Sequence, residues 1–156
     1  MSFKRLHSEY QSMIKDPNYF FSCVPTKENI LIWNFSMIGP PESLYEYGIF
    51  NGRIEFSQMY PHKPPSIIFN NIIHPNIYID GKVCISILHD GVDESGYETA
   101  SDRWNPSHNI NTIMMSILSL LSCPNFDSPA NIDAKKLWQN NTNEYKKIIY
   151  DMIKKQ

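Results

Sequence analysis

Cys84 lies in Lys82-Val83-Cys84-Ile85-Ser86-Ile87-Leu88, between the polar segment His74-Pro75-Asn76 and an acidic stretch. A thiol in such a setting has four chemistries open to it: metal ligand, protease-like nucleophile, acyl carrier or inert core group. A structural zinc site needs cysteines and histidines at ligand spacing. His74 and His89 flank Cys84, but Cys23 and Cys123 are far away and no CxxC pair exists, so no metal ligands are expected. Cys-His hydrolysis remains open, because its partners need to meet only in space. Yet His74 stands beside Pro75, and nothing in the sequence fixes it as a base against the thiol. The chain has neither a Walker lysine motif nor a dinucleotide glycine fingerprint, so it need not bind a nucleotide itself.

Further carboxylates follow the cysteine. Residues 90–102 hold Asp90, Asp93, Glu94, Glu98 and Asp102 with no lysine or arginine, and lack a helix or strand period, which predicts a mobile acidic loop. The spacing of its acids is not that of an EF-hand.

Several elements must position these groups. Phe3, Leu6, Tyr10, Met13 and Ile14 recur at helical spacing, and Asp16-Pro17-Asn18 ends that helix. Beyond Tyr19 the period changes to that of strands. Ile30, Ile32 and Asn34 alternate against Leu31, Trp33, Phe35 and Met37, and Phe50, Gly52, Ile54 and Phe56 alternate against polar neighbours. Tyr60-Pro61-His62-Lys63-Pro64-Pro65 predicts a stiff exposed connection before a short strand over Ser66 to Phe69. Ile110, Ile113, Met114, Ile117, Leu118 and Leu121 predict a central core helix, capped by Asn109 or Ser107 and ended by Pro124. Ser128-Pro129 reads as the cap and first residue of a helix carrying Ala134, Leu137 and Trp138; Tyr145, Ile148, Ile149 and Met152 mark a last one.

The 156 residues, 42% of them in the hydrophobic set, suit one domain with a substantial core and no second-domain boundary. A net charge of -2 argues against nonspecific nucleic-acid binding. Three scattered cysteines point to reduced thiols, hence a cytoplasmic setting. No apolar run is long enough to span a membrane, and His7, Glu9 and Lys15 occupy the region where a signal peptide needs a continuous apolar core.

Taken together, Phe3-Lys4-Arg5-Leu6, Ile38-Gly39-Pro40, Tyr60-Pro61-His62-Lys63-Pro64-Pro65, His74-Pro75-Asn76 followed at an interval by Cys84, and Trp104-Asn105-Pro106 resemble the ubiquitin-conjugating enzymes over nearly the whole chain. The acidic insertion, with Ala130-Asn131-Ile132-Asp133-Ala134, is similar to the subgroup that builds degradation-signalling chains in endoplasmic-reticulum-associated degradation.

The resemblance implies an α+β fold: an N-terminal helix, a four-stranded antiparallel meander and three later helices, forming one catalytic domain over 1–156 with the acidic loop at about 90–102. It implies Cys84 as nucleophile and thioester carrier, Asn76 as oxyanion or loop support, and His74 and Pro75 as structural. Where many members carry acids near the cysteine this chain has Ser86 and Ser128, leaving Asp90, Asp93, Glu94, Glu98, Asp102 and Asp127 to orient the acceptor. Lys4, Arg5, His62, Pro106 and Ser107 would face a ligase, with His62 departing from the usual bulky apolar residue.

Implied partners are ubiquitin, its activating enzyme, a RING-type ligase and a substrate lysine. No cofactor is bound, and ATP serves the upstream activating enzyme. Any membrane association, as at the cytosolic face of the endoplasmic reticulum, would run through a partner. A catalytically inactive ubiquitin-pathway binding protein and a Cys-His thiol hydrolase are the competing expectations.

Overall fold

A computed structural model of the chain describes residues 2–156. Helix α1 (Ser2–Lys15) leads into a sheet of β1 (Phe21–Pro25), β2 (Ile32–Ile38), β3 (Ile49–Glu55) and β4 (Ser66–Phe69), and α2 (Ile110–Ser122), α3 (Ile132–Asn140) and α4 (Thr142–Lys154) follow. The strands pair antiparallel in the order β1-β2-β3-β4, so the expected α+β architecture is the one observed.

Alternation decides which face is buried. Trp33, Phe35 and Met37 of β2 point inward with Phe50, Gly52 and Ile54 of β3, and the register sets Trp33 opposite Ile54 and Met37 opposite Phe50. These residues and the buried stripe of α2, Ile113, Met114, Ile117 and Leu121, belong to one continuous core. Gly52 permits a close approach: a Cβ there would lie 2.2 Å from the Ile68 carbonyl oxygen and 2.6 Å from the Phe35 ring. Asn109 forms a reciprocal capping box with Thr112 at the start of α2. Glu9 of α1 adds a second acceptor there, taking the Ile110 N–H at 2.8 Å while it also accepts from the Tyr60 hydroxyl at 2.6 Å.

Three expectations need correction. Phe3 and Ile14 are each 55% exposed, because α1 meets the core along a narrow seam of Leu6, Tyr10 and Met13. Pro61 and Pro65 are buried, leaving His62 and Lys63 as the exposed residues of the proline-rich segment. Ser128-Pro129 does not start a helix; α3 begins at Ile132 with Asn131 as its cap. The reason is a competing tether: the Ala130 and Asn131 N–H groups both donate to the Pro75 carbonyl, at 2.8 and 2.9 Å, holding this bent segment beside the His-Pro-Asn segment.

Candidate active site

His74, Pro75 and Asn76 form a buried shelf. The Asn76 N–H donates to His74 Nδ1 at 3.0 Å, so the ring proton sits on Nε2 and donates to the Leu120 carbonyl at 2.9 Å. Nε2 is thereby occupied by α2 and Nδ1 by the Asn76 backbone, and His74 has no free nitrogen with which to act as a base toward Cys84. Burial pushes its pKa down from 6.5 to about 4.

The unfolded chain therefore takes up a proton near pH 6.5 that the folded chain refuses until about 4, and stability is lost as pH falls through that window. The slope is about 1.4 kcal/mol per pH unit for one group. Urea midpoints at pH 7 and pH 5 check this: His74→Gln should flatten the pH dependence whatever it does to the stability at pH 7. An unaltered slope would remove His74 as its source.

Asn76 fixes the shelf to the segment before α3. Its Oδ1 accepts from the Asn125 N–H at 2.9 Å, and its two amide N–H groups donate to the Asn125 and Ser128 carbonyls at 2.8 and 3.2 Å. With the side chain 1% exposed and every N–H engaged, no donor is left for an oxyanion in this conformation.

The backbone next turns tightly to bring Cys84 alongside. The Gly81 N–H donates to the Tyr78 carbonyl at 2.8 Å, and Gly81 has φ +93, where a Cβ would lie 2.0 Å from the Phe69 carbonyl oxygen, so glycine is required. The Cys84 N–H then donates to the Asn76 carbonyl at 2.9 Å. The thiol lies half-buried in an open groove of about 590 Å³ whose walls include Pro65, Tyr78, Lys82 and His89. Cys23 differs sharply, since burial pushes its thiol up to about 12 and leaves it inert.

The residue that faces the sulfur is His89. A one-turn 3₁₀ segment, Ser86–Leu88, reverses the chain so that His89 Nε2 lies 3.7 Å from Cys84 Sγ. Its Nδ1 is 3.0 and 2.9 Å from the two Glu98 oxygens, and a carboxylate only accepts, so Nδ1 carries a proton and Nε2 is available to the thiol. Ser86 Oγ and Arg103 Nη1 donate to the same carboxylate at 2.6 and 2.5 Å. Burial opposes ionisation of Glu98, but these hydrogen bonds outweigh it and hold its pKa below the ordinary carboxylate range. Tyr78 also borders the sulfur, and its proximity to Cys84 pushes the phenol pKa upward.

The other acids are distributed unevenly. Asp93 accepts from Ser95 and from the Glu98 N–H, holding its carboxyl at about 2, and Asp102 accepts from Thr99; both close turns within the loop. Asp90 pairs with Lys63 at 2.5 Å, whereas the Glu94 and Asp127 carboxylates have no hydrogen-bond partner among the described residues. The expectation of a loosely held loop is thus revised at Asp90, Asp93, Glu98 and Asp102. Asp127 and Ser128 line a second cleft with His89 and Glu98, and His89 borders both it and the groove.

The residues expected to face a ligase meet on one side. Arg5 Nη1 and Nη2 donate to the Pro106 and His108 carbonyls at 3.1 and 2.7 Å, and Trp104 Nε1 donates to the Pro61 carbonyl at 2.8 Å. Arg5 therefore ties α1 to the Pro106-Ser107 turn, leaving Lys4, His62, Pro106 and Ser107 exposed. Among the described residues, no group of three or more His, Cys, Asp or Glu could hold a metal ion, and no helix is long and apolar enough to cross a membrane.

Comparison with known proteins agrees with this geometry. Residues 5–153 match the family model described as "Ubiquitin-conjugating enzyme". The chain is 46% identical over 153 residues to "Ubiquitin-conjugating enzyme E2 7" of Arabidopsis thaliana, covering 96% of this chain and 92% of that protein. It is 43% identical to "Probable ubiquitin-conjugating enzyme E2 7" of Caenorhabditis elegans, with coverage of 96% and 93%. It is 38% identical to "Ubiquitin-conjugating enzyme E2 G2" of Homo sapiens, with coverage of 97% and 94%.

Proposed function

Because the chain belongs to the ubiquitin-conjugating enzyme family, we propose that Cys84 is its acyl carrier, receiving ubiquitin from an activating enzyme and passing it to a lysine. The observation that carries this reading is a half-exposed thiol in an open groove, facing an imidazole and anchored through its own N–H to a rigid shelf.

In the first step the Cys84 sulfur attacks the thioester carbonyl on the activating enzyme, a new C–S bond forms and that enzyme's thiol leaves. The Cys84 proton passes to the departing sulfur, so thiol is exchanged for thiol. In the second step a lysine amine attacks the Cys84 thioester, the C–N bond forms, Cys84 departs as thiolate and the amine's proton passes to His89 Nε2. A lysine with pKa about 10.4 is neutral in only about one molecule in a thousand at pH 7.4. Activation therefore needs desolvation or a proton acceptor, and the cleft bounded by His89, Glu98 and Asp127 offers the second. Asn76 acts as loop support, since its amide is fully engaged.

Incubation with ubiquitin, its activating enzyme and ATP, followed by nonreducing and reducing gels, tests the carrier role. A thiol-sensitive adduct supports it, and none under conditions that charge another carrier refutes it. His89→Gln should still charge to completion, while discharge of the loaded enzyme to free lysine slows on the order of 10²-fold. An unchanged discharge rate would exclude the imidazole from the transfer step.

The thiol, imidazole and carboxylate sequence Cys84, His89, Glu98 also has the form of a thiol hydrolase site, with His89 in the place considered above for His74. Release of free ubiquitin in preference to lysine conjugates would favour that second reading, and an activating enzyme would then be unnecessary.

The finer reading is that residues 1–156 form one catalytic domain whose acidic loop orients acceptor ubiquitin, with Asp127, Glu94 and Asp90 as the outward carboxylates. With a RING-type ligase bound over Lys4, His62, Pro106 and Ser107, the enzyme builds degradation-signalling chains in the cytoplasm, at the face of the endoplasmic reticulum through a partner. The acidic stretch beside the cysteine supports this, and the match to relatives supports the conjugating activity on which it builds.

A further inference from the structure

Arg103 lies just outside the acidic stretch and takes part in no step above, yet it joins both ends of the loop. Its Nη2 donates to the Asp90 carbonyl at 2.8 Å and its Nε to the Gly91 carbonyl at 2.9 Å, where the loop leaves the 3₁₀ segment. Its Nη1 donates to Glu98 Oε2 at 2.5 Å, where the loop returns. Only 13% of the side chain is exposed, and the next residue, Trp104, donates its backbone N–H to the His89 carbonyl at 3.0 Å.

We propose that Arg103 is a positioning residue for acyl transfer: by closing the loop it fixes the Glu98 carboxylate that orients His89 against the Cys84 sulfur. This rests on the carrier reading of Cys84. Glu98 has two oxygens and three side-chain donors, from Ser86, His89 and Arg103, and the arginine shares Oε2 with the imidazole. Without it the carboxylate keeps its bond to Ser86 but loses the contact that holds its second oxygen toward Nδ1.

Lysine is not an equivalent replacement. A guanidinium presents donors in a planar fork that reaches three acceptors in different directions, whereas an ammonium concentrates its donors at one point. Arg103→Lys therefore retains the charge but cannot span Asp90, Gly91 and Glu98 together. Its phenotype separates geometry from net electrostatics.

The test uses full-length enzyme loaded with ubiquitin and discharged at varied free lysine. Arg103→Lys and Arg103→Gln should both charge to within twofold of the parent, while the maximal discharge rate falls about 10-fold and the half-saturating lysine concentration stays within twofold. The histidine ring nitrogen resonances, read by NMR, should show Nδ1 of His89 losing its hydrogen-bonded proton signal. In a Glu98→Gln background, Arg103→Lys should cost almost nothing further, because the two act through one contact.

Wild-type discharge by Arg103→Lys would overturn the assignment, as would an undiminished effect in the Glu98→Gln background. So would parallel losses of charging, discharge and melting temperature, which mark a general folding defect. Failure of the parent enzyme to charge at Cys84 would instead refute the carrier reading, and would be seen before any variant is examined.

Discussion

Cys84→Ala is expected to abolish the reductant-labile ubiquitin adduct entirely, and Cys84→Ser to replace it by an adduct that survives thiol treatment. The second outcome follows from chemistry: a serine oxygen forms an ester, which exchanges with thiols far less readily than a thioester does. Alanine removes the nucleophile and permits neither bond. Cys123, exposed and outside the groove, supplies the internal control, and Cys123→Ser should charge as the parent does. Cys23 cannot substitute, because burial raises its thiol to about 12. A labile adduct that persists in Cys84→Ala and disappears in Cys123→Ser would transfer the carrier role to the wrong face of the molecule.

The second large effect is at Asn76. Asn76→Ala removes one acceptor and two donors that hold residues 125–128 against the shelf, which should lower stability by about 2 kcal/mol. The exposed Asn125 groups can recover water, which keeps the loss below the full penalty for three buried polar groups. Lysine discharge should slow on the order of 10²-fold, since displacement of the shelf misplaces the thioester.

The pairing of these two losses carries the information. A carbonyl-stabilising amide would cost rate and leave the urea midpoint unchanged, whereas a support costs both. Asn76→Asp separates them further: it keeps the acceptor for the Asn125 N–H but lacks both donors. Wild-type discharge by a destabilised Asn76→Ala would show that the shelf is irrelevant to transfer.

Much of the scaffold was legible because it follows from local rules. Alternation identified β2 and β3, the apolar stripe from Ile110 to Leu121 identified α2, and Asn109 was among its expected caps. Cys84 stood out for the same reason, as a thiol joined to a polar turn and flanked by apolar residues. At Ser128-Pro129 a sound local signal failed, since the Pro75 carbonyl takes two N–H groups that a helix start would have used differently. No sequence window contains that interaction.

The active-site electrostatics were harder to read. His89 was visible only as a histidine near a cysteine, and its role depends on the short 3₁₀ reversal that turns it back toward Sγ. Glu98 looked like one more loop acid until Ser86, His89 and Arg103 converged on it. Arg103 lay beyond the stretch that its side chain closes. Tyr78, two residues after Asn76, carries no local signal that its side chain borders the groove.

The ion pair between Lys63 and Asp90 joins the proline-rich segment to the loop that follows the cysteine. Two surfaces connected in this way obey reciprocity: a macromolecule that captures the Lys63 ammonium releases Asp90, and any occupant that displaces Asp90 makes the ammonium easier to capture. Both side chains are solvent-accessible, so this communication is weak and fades as ionic strength rises. Partner affinity and occupancy of the sulfur should therefore depend on each other more in dilute buffer than in concentrated salt.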